Sequence, residues 1–460
     1  MLEKGQIFPS DIDESRIRLQ NKWEQMYHSE YVYNRVIDPI TKKSIKVDPL
    51  VPLPAVISEI SSDLLFGEFP ILEYENEQAN ELLQKWLDEH KQFETDLLEA
   101  SAYTSALGTI FLIKYVFGDR VFYEFVSGNK CVWEEDMLGL VKFIMFKEDE
   151  VNVKQKWVIY KVHEHYYKYD EKKRSPYLDE NRTHVVEDYY IKVNSITRKI
   201  MDVYDKEEVN TGLKNIPVVK VDNIRVMNSL IGKSDYQGKE QLFAEVDNRI
   251  DQINYVLQEH AEPWVGMPPG LLDNKGRFNR AYGKMFEKSV SAGDSDISIA
   301  QWNAQLEAAF QSIDTMIRMI FFSSRISPPI SGMDQGGNVE SGRALKWRSI
   351  NTFAMINRKR KYWDEVLKRF FMFEGEMNRE YEKFRDANLI ITWQDGLPMD
   401  ETEIVENVVK RVNAGLMSHL EAIKEMNEVD DDMAQKELDQ INSEKQQKAD
   451  IEASKFTIRV

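Results

Sequence analysis

The sequence is short of cysteine, of long apolar runs and of positive charge. Its 460 residues include one cysteine, Cys131, which excludes an intramolecular disulfide framework and a zinc site built from clustered cysteines. A reducing compartment is therefore expected. The densest apolar run, 106–113, is far below the ~20 residues that span a bilayer, and the N-terminus has no apolar signal core. These absences predict an intracellular or particle-borne protein with no membrane partner.

Positive charge is outnumbered: 60 Lys and Arg face 78 Asp and Glu, giving a net charge of −18. A chain this acidic is not expected to grip nucleic acid over a broad surface, because each bound phosphate needs a nearby cation. Local contact with nucleic acid, or enclosure without tight binding, remains open. Hydrophobic residues make up 42% of the chain, which is typical of a globular protein and excludes a disordered one.

Residue periodicity predicts an α+β fold. Helical patterns occupy 11–30 and 76–107, the second ending at Gly108. Patterns of Tyr, Val and Ile between charges then predict strands at 109–117, 121–126, 140–146, 156–169 and 185–193.

The middle of the chain returns to helical periodicity. One apolar stripe runs through 239–260 and a second follows Leu306, Phe310, Ile313, Ile317 and Ile320, with a Gly- and Pro-rich segment, 263–302, between them. This order predicts a helical hairpin with a small module at its tip. A loop rich in Gly and Pro, a long helix over about 341–385, a strand at 389–393 and further helices from 400 onward complete the pattern.

No motif in the chain predicts a catalytic, metal or cofactor site. Gly232-Lys233-Ser234 looks like the end of a phosphate-binding loop, but that motif needs a glycine at position 227, where methionine stands. His163 and His165 could face one side of a strand, yet no third ligand accompanies them. The acidic clusters 134–136 and 430–432 are better explained as a solvated turn and a helix start than as cation sites.

Basic residues concentrate in the long helix, at Arg343, Lys346, Arg348, 358–361, Lys368 and Arg369. Composition favours a solvated helix face that pairs with acidic neighbours. The alternative is a band of cations beside a Gly-rich loop, which could touch a phosphate backbone.

Four groups of residues, in this order, resemble the portal proteins of tailed bacteriophages of the long-tailed type. They are SSDLLFGEFP at 61–70 with GTIFLIKY at 108–115, NIPVV at 215–219 with GKSDY at 232–236, PPISGM at 328–333 with ESGRAL at 340–345, and GLMSHL at 415–420 with the acidic tail. Portal proteins are the head-to-tail connectors through which DNA enters and leaves the capsid.

The resemblance implies a portal-type subunit with an α/β wing, a two-helix stem, a small α/β clip, a tunnel loop, a long wing helix and a helical crown. The implied boundaries are 1–230 and 343–398 for the wing, 231–262 and 303–325 for the stem, 263–302 for the clip, 326–342 for the tunnel loop and 399–460 for the crown. It further implies a non-enzymatic homo-oligomeric ring, usually dodecameric, that assembles in the host cytoplasm and is carried in the virion. Its implied partners are double-stranded DNA, terminase, the scaffold and major capsid proteins, and a head-completion or adaptor protein.

On this template, three sets of residues carry the expected function. Gln335, Gly336, Gly337, Asn338, Arg343 and Lys346 are expected near DNA in the channel; Glu245, Asp247 and Asp251 are expected to line the stem; and Leu306, Phe310, Ile313 and Ile317 are expected to form its packing stripe. Acidic stem residues would keep a polyanion from sticking as it passes. The competing hypotheses are a minor head or adaptor protein without a DNA channel and, third, a metal-dependent nuclease.

Overall fold

A computed structural model describes the protein over residues 2–38, 43–118, 120–170, 172–261, 264–267, 285–287, 298–300, 306–333, 342–394, 401–427 and 431–457. The chain divides into two compact units. The first comprises Met1–Asp334 and Ser349–Gly396, and the second comprises Gln335–Arg348 and Leu397–Val460.

The described residues form eleven α-helices and fifteen strands, which confirms the α+β class. The helices are α1 (Asp11–Tyr27), α2 (Leu53–Phe66), α3 (Glu77–Glu89), α4 (Gln92–Leu107), α5 (Glu240–Ala261), α6 (Leu306–Ser323), α7 (Gly342–Arg348), α8 (Ile350–Met377), α9 (Glu401–Asn413), α10 (His419–Asn427) and α11 (Asp431–Thr457). The strands are β1 (Tyr33–Asp38), β2 (Lys43–Val47), β3 (Ile71–Tyr74), β4 (Thr109–Phe117), β5 (Arg120–Ser127), β6 (Cys131–Glu135), β7 (Leu140–Asn152), β8 (Trp157–Lys168), β9 (Thr183–Asn194), β10 (Ile200–Asn210), β11 (Val218–Asp222), β12 (Trp264–Met267), β13 (Met285–Glu287), β14 (Ser298–Ala300) and β15 (Leu389–Thr392).

Two antiparallel sheets dominate the first unit. One has the strand order β10-β9-β8-β7-β6 and the other has the order β11-β4-β5. All five strands predicted between 109 and 193 are confirmed, and β4 has the predicted bounds. The first six residues of β4 are buried because this strand lies in the middle of its sheet, with β11 and β5 on either side.

The main core of the first unit lies among its helices and is rich in aromatic side chains. Trp86 of α3, Phe93 of α4 and Phe370 of α8 are fully buried; the Phe93 and Phe370 rings stack at 4.7 Å, and the Trp86 ring meets Phe93 edge-on at 5.1 Å. Such aromatic pairs stabilise a core beyond the area that they bury. They hold α8 against α3 and α4, which lie far earlier in the chain.

In the chain, a third sheet lies between helices α5 and α6, and in it β12 pairs parallel with β13 and antiparallel with β14. The predicted pair of helices with a small module between them is therefore present. Two predicted helices are divided: 76–107 breaks after Glu89 into α3 and α4, and the long helix breaks at Ser349 and ends at Met377. A 3₁₀ segment, Arg379–Phe384, and the predicted strand, β15, follow.

The second unit is helical in its described part. Helix α10 packs against both α9 and α11, and Val408 and Ala434 are buried there. Ser418 caps the start of α10, because its hydroxyl accepts a hydrogen bond from the Glu421 N–H at 3.1 Å. Gly415, just after α9, adopts a φ of +68°, the left-handed conformation that ends helices.

Candidate functional site

The segment that leads into α5 is fixed by a buried polar cluster, which we call the α5 anchor: Ser61, Ser105, Asp235 and Lys359. Lys359 Nζ lies 2.5 Å from Asp235 Oδ2 and donates to Ser61 Oγ at 2.6 Å. Ser105 Oγ donates to the same Asp235 oxygen at 2.6 Å. Burial alone would raise the pKa of Asp235, but the Lys359 charge and these hydrogen bonds lower it below its ordinary value. The anchor ties α2, α4 and α8 to the start of α5.

The segment 232–236, which resembles the end of a phosphate-binding loop, helps to attach the start of α5 to the rest of the first unit. Gly232 lies so close to Gly108 that a Cβ added at Gly108 would meet the Gly232 carbonyl oxygen at 2.3 Å, and Gly108 has a φ of +78°. The Gly232 N–H donates to Thr109 Oγ1 at 2.8 Å, and Tyr236 bonds the Ser58 hydroxyl at 2.7 Å. Its polar groups are therefore used inside the protein, and a nucleotide site is not supported here.

The three predicted channel acids on α5 have different environments. Asp247 is 1% exposed and accepts hydrogen bonds from the Tyr31 hydroxyl at 2.8 Å and from the main-chain N–H groups of Leu50 and Val51 at 3.0 and 3.1 Å. The prediction that Asp247 lines a channel is therefore wrong: its carboxylate caps a loop within the first unit. Glu245 is half-exposed and pairs with Arg249 at 3.1 Å, and Asp251 is partly exposed.

The predicted packing stripe on α6 is buried at one end and open at the other. Ile313 is 8% exposed and belongs to the main core, and Ile317 is partly buried against it. Phe310 is 55% exposed, and the side chain of Leu306 lies outside the described residues. Met319 and Phe322, on the far side of the helix, are also exposed. An apolar helix face is normally packed against a neighbour. Phe310, Met319 and Phe322 therefore give α6 apolar surface that no other part of the described chain covers.

The residues predicted to contact DNA fall mainly outside the described part. Gln335, Gly336, Gly337 and Asn338 lie there, as does the side chain of Arg343. Lys346 is partly buried in α7. The basic residues of α8 are described, and two of them are not on a solvated face: Lys359 is buried in the α5 anchor, and Arg360 is buried and donates to the carbonyl of Gln394. These two cations are unavailable to a phosphate backbone.

A second buried ion pair joins β4 to α8. Lys114 is 1% exposed, pairs with Glu374 of α8 and lies 3.6 Å from the centre of the Phe370 ring. Burial lowers the pKa of Lys114 to about 8, against the opposing effect of Glu374. Neither this pair nor the α5 anchor was predicted, because their members are separated by 260 and 124 residues and no local pattern marks them.

The histidines considered as metal ligands are held by protein groups. His163 Nδ1 lies 2.7 Å from Asp188 Oδ1, and His165 Nδ1 lies 3.0 Å from His184 Nε2. Burial lowers the pKa of His184 to about 4, so this ring is neutral at pH 7. Within the described ranges no group of three or more His, Cys, Asp or Glu side chains is placed to hold a metal ion.

The described residues contain no helix long and apolar enough to cross a membrane. In the described part of the chain, α5 carries the partly exposed acids Glu245 and Asp251, and α6 carries exposed apolar side chains. The buried α5 anchor fixes the start of α5 to α2, α4 and α8.

Comparison with known proteins identifies the family. Residues 10–450 match the model of the phage portal protein family, SPP1 Gp6-like. No curated protein sequence matches at a significant level. Among solved structures, the chain is similar to one from the virion of a native gene transfer agent particle (11% identity, TM-score 0.45, 93% of this chain and 96% of that chain covered). It is also similar to chains from the neck of the native particle computed with C12 symmetry (10%, 0.47, 92% and 95%) and of the empty particle computed with C6 symmetry (11%, 0.48, 82% and 90%). The family match spans nearly the whole length, and the chain belongs to the SPP1 Gp6-like family of phage portal proteins.

Proposed function

We propose that this chain forms the ring-shaped portal at one vertex of a phage-like virion, with twelve copies as is usual in the family. The family match over residues 10–450 carries the proposal. Double-stranded DNA is packaged through the ring by the terminase motor and later ejected through it. Scaffold and major capsid proteins surround the ring during assembly in the host cytoplasm, and head-completion or adaptor proteins attach afterwards. The ring itself carries out no catalysis.

We assign the stem to 231–262 and 303–325, the clip to 263–302, the tunnel loop to 326–342 and the crown to 399–460, with the wing formed by 1–230 and 343–398. The exposed apolar side chains of α6 support this assignment, since stem helices in a ring have neighbours that a single chain lacks. Phe310 and Phe322, which are 55% and 83% exposed, are the side chains with most to bury against an adjacent copy.

The distribution of charge supports a channel that binds DNA only weakly. Glu245 and Asp251 remain exposed enough to line the stem, and an acidic wall lets a polyanion move in both directions without being trapped. In the proposed tunnel loop, Gln335 and Asn338 offer polar side chains for weak contacts with successive phosphates, and Gly336 and Gly337 between them add no side-chain bulk. Arg343 and Lys346 are the nearest cations in the sequence.

The test separates ring formation from DNA handling. Negative-stain microscopy and native mass spectrometry should give a closed ring with a central hole, and a monomer would refute the proposal. Replacing Gly336 and Gly337 by bulky residues should leave the ring number unchanged but reduce the DNA packaged per head. Normal filling and retention of DNA in such heads would show that the loop does not touch DNA, and Arg343→Ala tests the neighbouring cation in the same assay.

The clip assignment has its own experiment. Deleting 263–302 should leave ring closure intact and abolish terminase docking, because a protruding module contributes little to the body of the ring. Terminase binding that survives the deletion would exclude this segment as the docking site. A ring whose loss does not affect packaging would instead support an adaptor protein without a DNA channel.

A further inference from the structure

Strand β5 is the outer strand of its sheet, and its outer edge has no strand partner among the described residues. The Lys114 N–H donates to the Pro217 carbonyl on the β11 side of β4, and Lys114 lies opposite Tyr123. Because hydrogen-bonding direction alternates along a strand, the N–H and C=O of Tyr123 point away from β4, as do those of Val121 and Phe125. In the described part of the chain, these three residues make no main-chain hydrogen bond outward.

A groove follows this edge, between β5 and α4. It has two adjoining parts, with volumes of about 970 and 450 Å³, and both are lined by Asp96 and Tyr123. The Tyr123 hydroxyl donates to Asp96 at 2.7 Å where the two parts meet. A free sheet edge beside a helix is the arrangement in which extended peptides bind by adding a strand.

The groove is strongly acidic. Its lining contains three cations, Lys91, Arg120 and Lys130, and eight carboxylates. Two of the carboxylates have close cation partners outside the lining, because Glu374 pairs with Lys114 and Glu380 pairs with Lys85. The other six, which exceed the lining cations, are Glu24, Asp88, Glu89, Asp96, Glu99 and Glu124. Burial and the negative charges of Glu24 and Glu99 raise the pKa of the Tyr103 phenol, which lines the same groove. This charge excess selects a partner of opposite sign.

We infer that this groove binds an extended, cationic segment of another protein, added to the sheet as a fourth strand that runs antiparallel to β5. Residues of such a strand that pair with Val121, Tyr123 and Phe125 lie on the same face as these side chains, which is the face toward α4. The segment therefore carries Lys or Arg at every second position, where the side chains reach Asp96 and Glu99. This surface is additional to the proposed portal function and does not depend on it.

The test uses the full-length protein and a labelled probe peptide, Lys-Val-Lys-Val-Lys-Val-Lys-Val, followed by fluorescence anisotropy. The lysines are the residues expected to pair with β5, so methylating their main-chain nitrogens should abolish binding, whereas methylating the valine nitrogens should not. Glu99→Gln should weaken binding roughly two- to fivefold. Glu180→Gln, which removes an exposed charge that does not line the groove, should leave it unchanged.

The edge itself is tested by Val121→Pro. Because the Val121 N–H points outward, proline removes no bond of the sheet but blocks an added strand, so binding should be lost while circular dichroism stays unchanged. Hydrogen exchange offers a second measurement: the peptide should slow exchange at 121, 123 and 125. Equal binding of both methylated peptides would reduce the contact to charge alone and overturn the inference. So would an absence of saturable binding together with these amides already protected in the assembled protein, since a second copy would then cover the edge.

Discussion

The contribution of the α5 anchor to stability can be measured with the substitution Lys359→Met. This change keeps much of the side-chain volume and removes the charge that faces Asp235 at 2.5 Å. Both side chains are buried, at 2% and 10% exposure, so the variant leaves a buried carboxylate without its main cation. Loss of one partner from a buried pair costs about 3–5 kcal/mol. Lys239 stays nearby and donates to the Asp235 carbonyl, so the lower end, about 3 kcal/mol, is expected.

Denaturation by urea at pH 7, monitored by tryptophan fluorescence, measures the cost. The double variant Lys359→Met/Asp235→Asn is the matched control, because it removes both charges and should recover most of the loss. The pH dependence has a definite sign. In the single variant, burial raises the pKa of Asp235, so the destabilisation should shrink as the pH falls and the carboxylate becomes neutral. A cost below 1 kcal/mol, or one that is equal in the single and double variants, would refute this account of the anchor.

Three further predictions concern backbone, core and charge. Gly108→Ala should destabilise by several kcal/mol, because a left-handed φ is combined with a clash, whereas Gly212→Ala, with a φ of +71° and open space around it, should cost only about 1–2 kcal/mol in the same urea titration. Ile313→Ala should cost about 2–5 kcal/mol of stability, while Phe310→Ala should leave the single chain's stability nearly unchanged and reduce ring yield by native mass spectrometry. Because Lys114 has a pKa lowered to about 8, the unfolded chain binds more protons above that pH, so wild-type stability relative to Lys114→Met should rise between pH 8 and 10.

Sequence patterns predicted secondary structure most accurately where the burial of a segment follows from residues adjacent to it in the sequence. Strand β4 has the predicted bounds because six consecutive residues are buried and Gly108 separates them from the preceding helix. The periodicity of 76–107 predicts one continuous helix, but the chain turns at His90 between α3 and α4. There the His90 ring stacks on the Trp86 ring, with 4.2 Å between the ring centres. That turn depends on packing, which periodicity does not report.

The candidate site was less predictable because its chemistry is assembled across the chain. As an acid on the predicted stem helix, Asp247 was expected at a channel-facing position. The loop before α2 covers it and supplies two main-chain donors, at Leu50 and Val51. Likewise, the basic run of α8 was interpreted as a solvated face, yet Lys359 is buried because Asp235 arrives from 124 residues away. A charge pattern shows which residues share a face of a helix. Whether that face is buried depends on tertiary contacts with distant parts of the chain.

Acidity at the sheet edges connects the inferred groove with assembly. Edge strands are templates for pairing between copies, and such a contact joins two different surfaces, so it extends into an open filament unless its rotation closes. In the first unit, β5 and β10 are both outer strands, and β10 carries Asp202, Asp205, Glu207 and Glu208. An acidic strand arriving at the acidic groove beside β5 would be repelled. The same carboxylates that favour a cationic segment therefore disfavour pairing of β10 from one copy with β5 of another. Contacts in the proposed ring would then use other surfaces, such as the apolar side chains of α6.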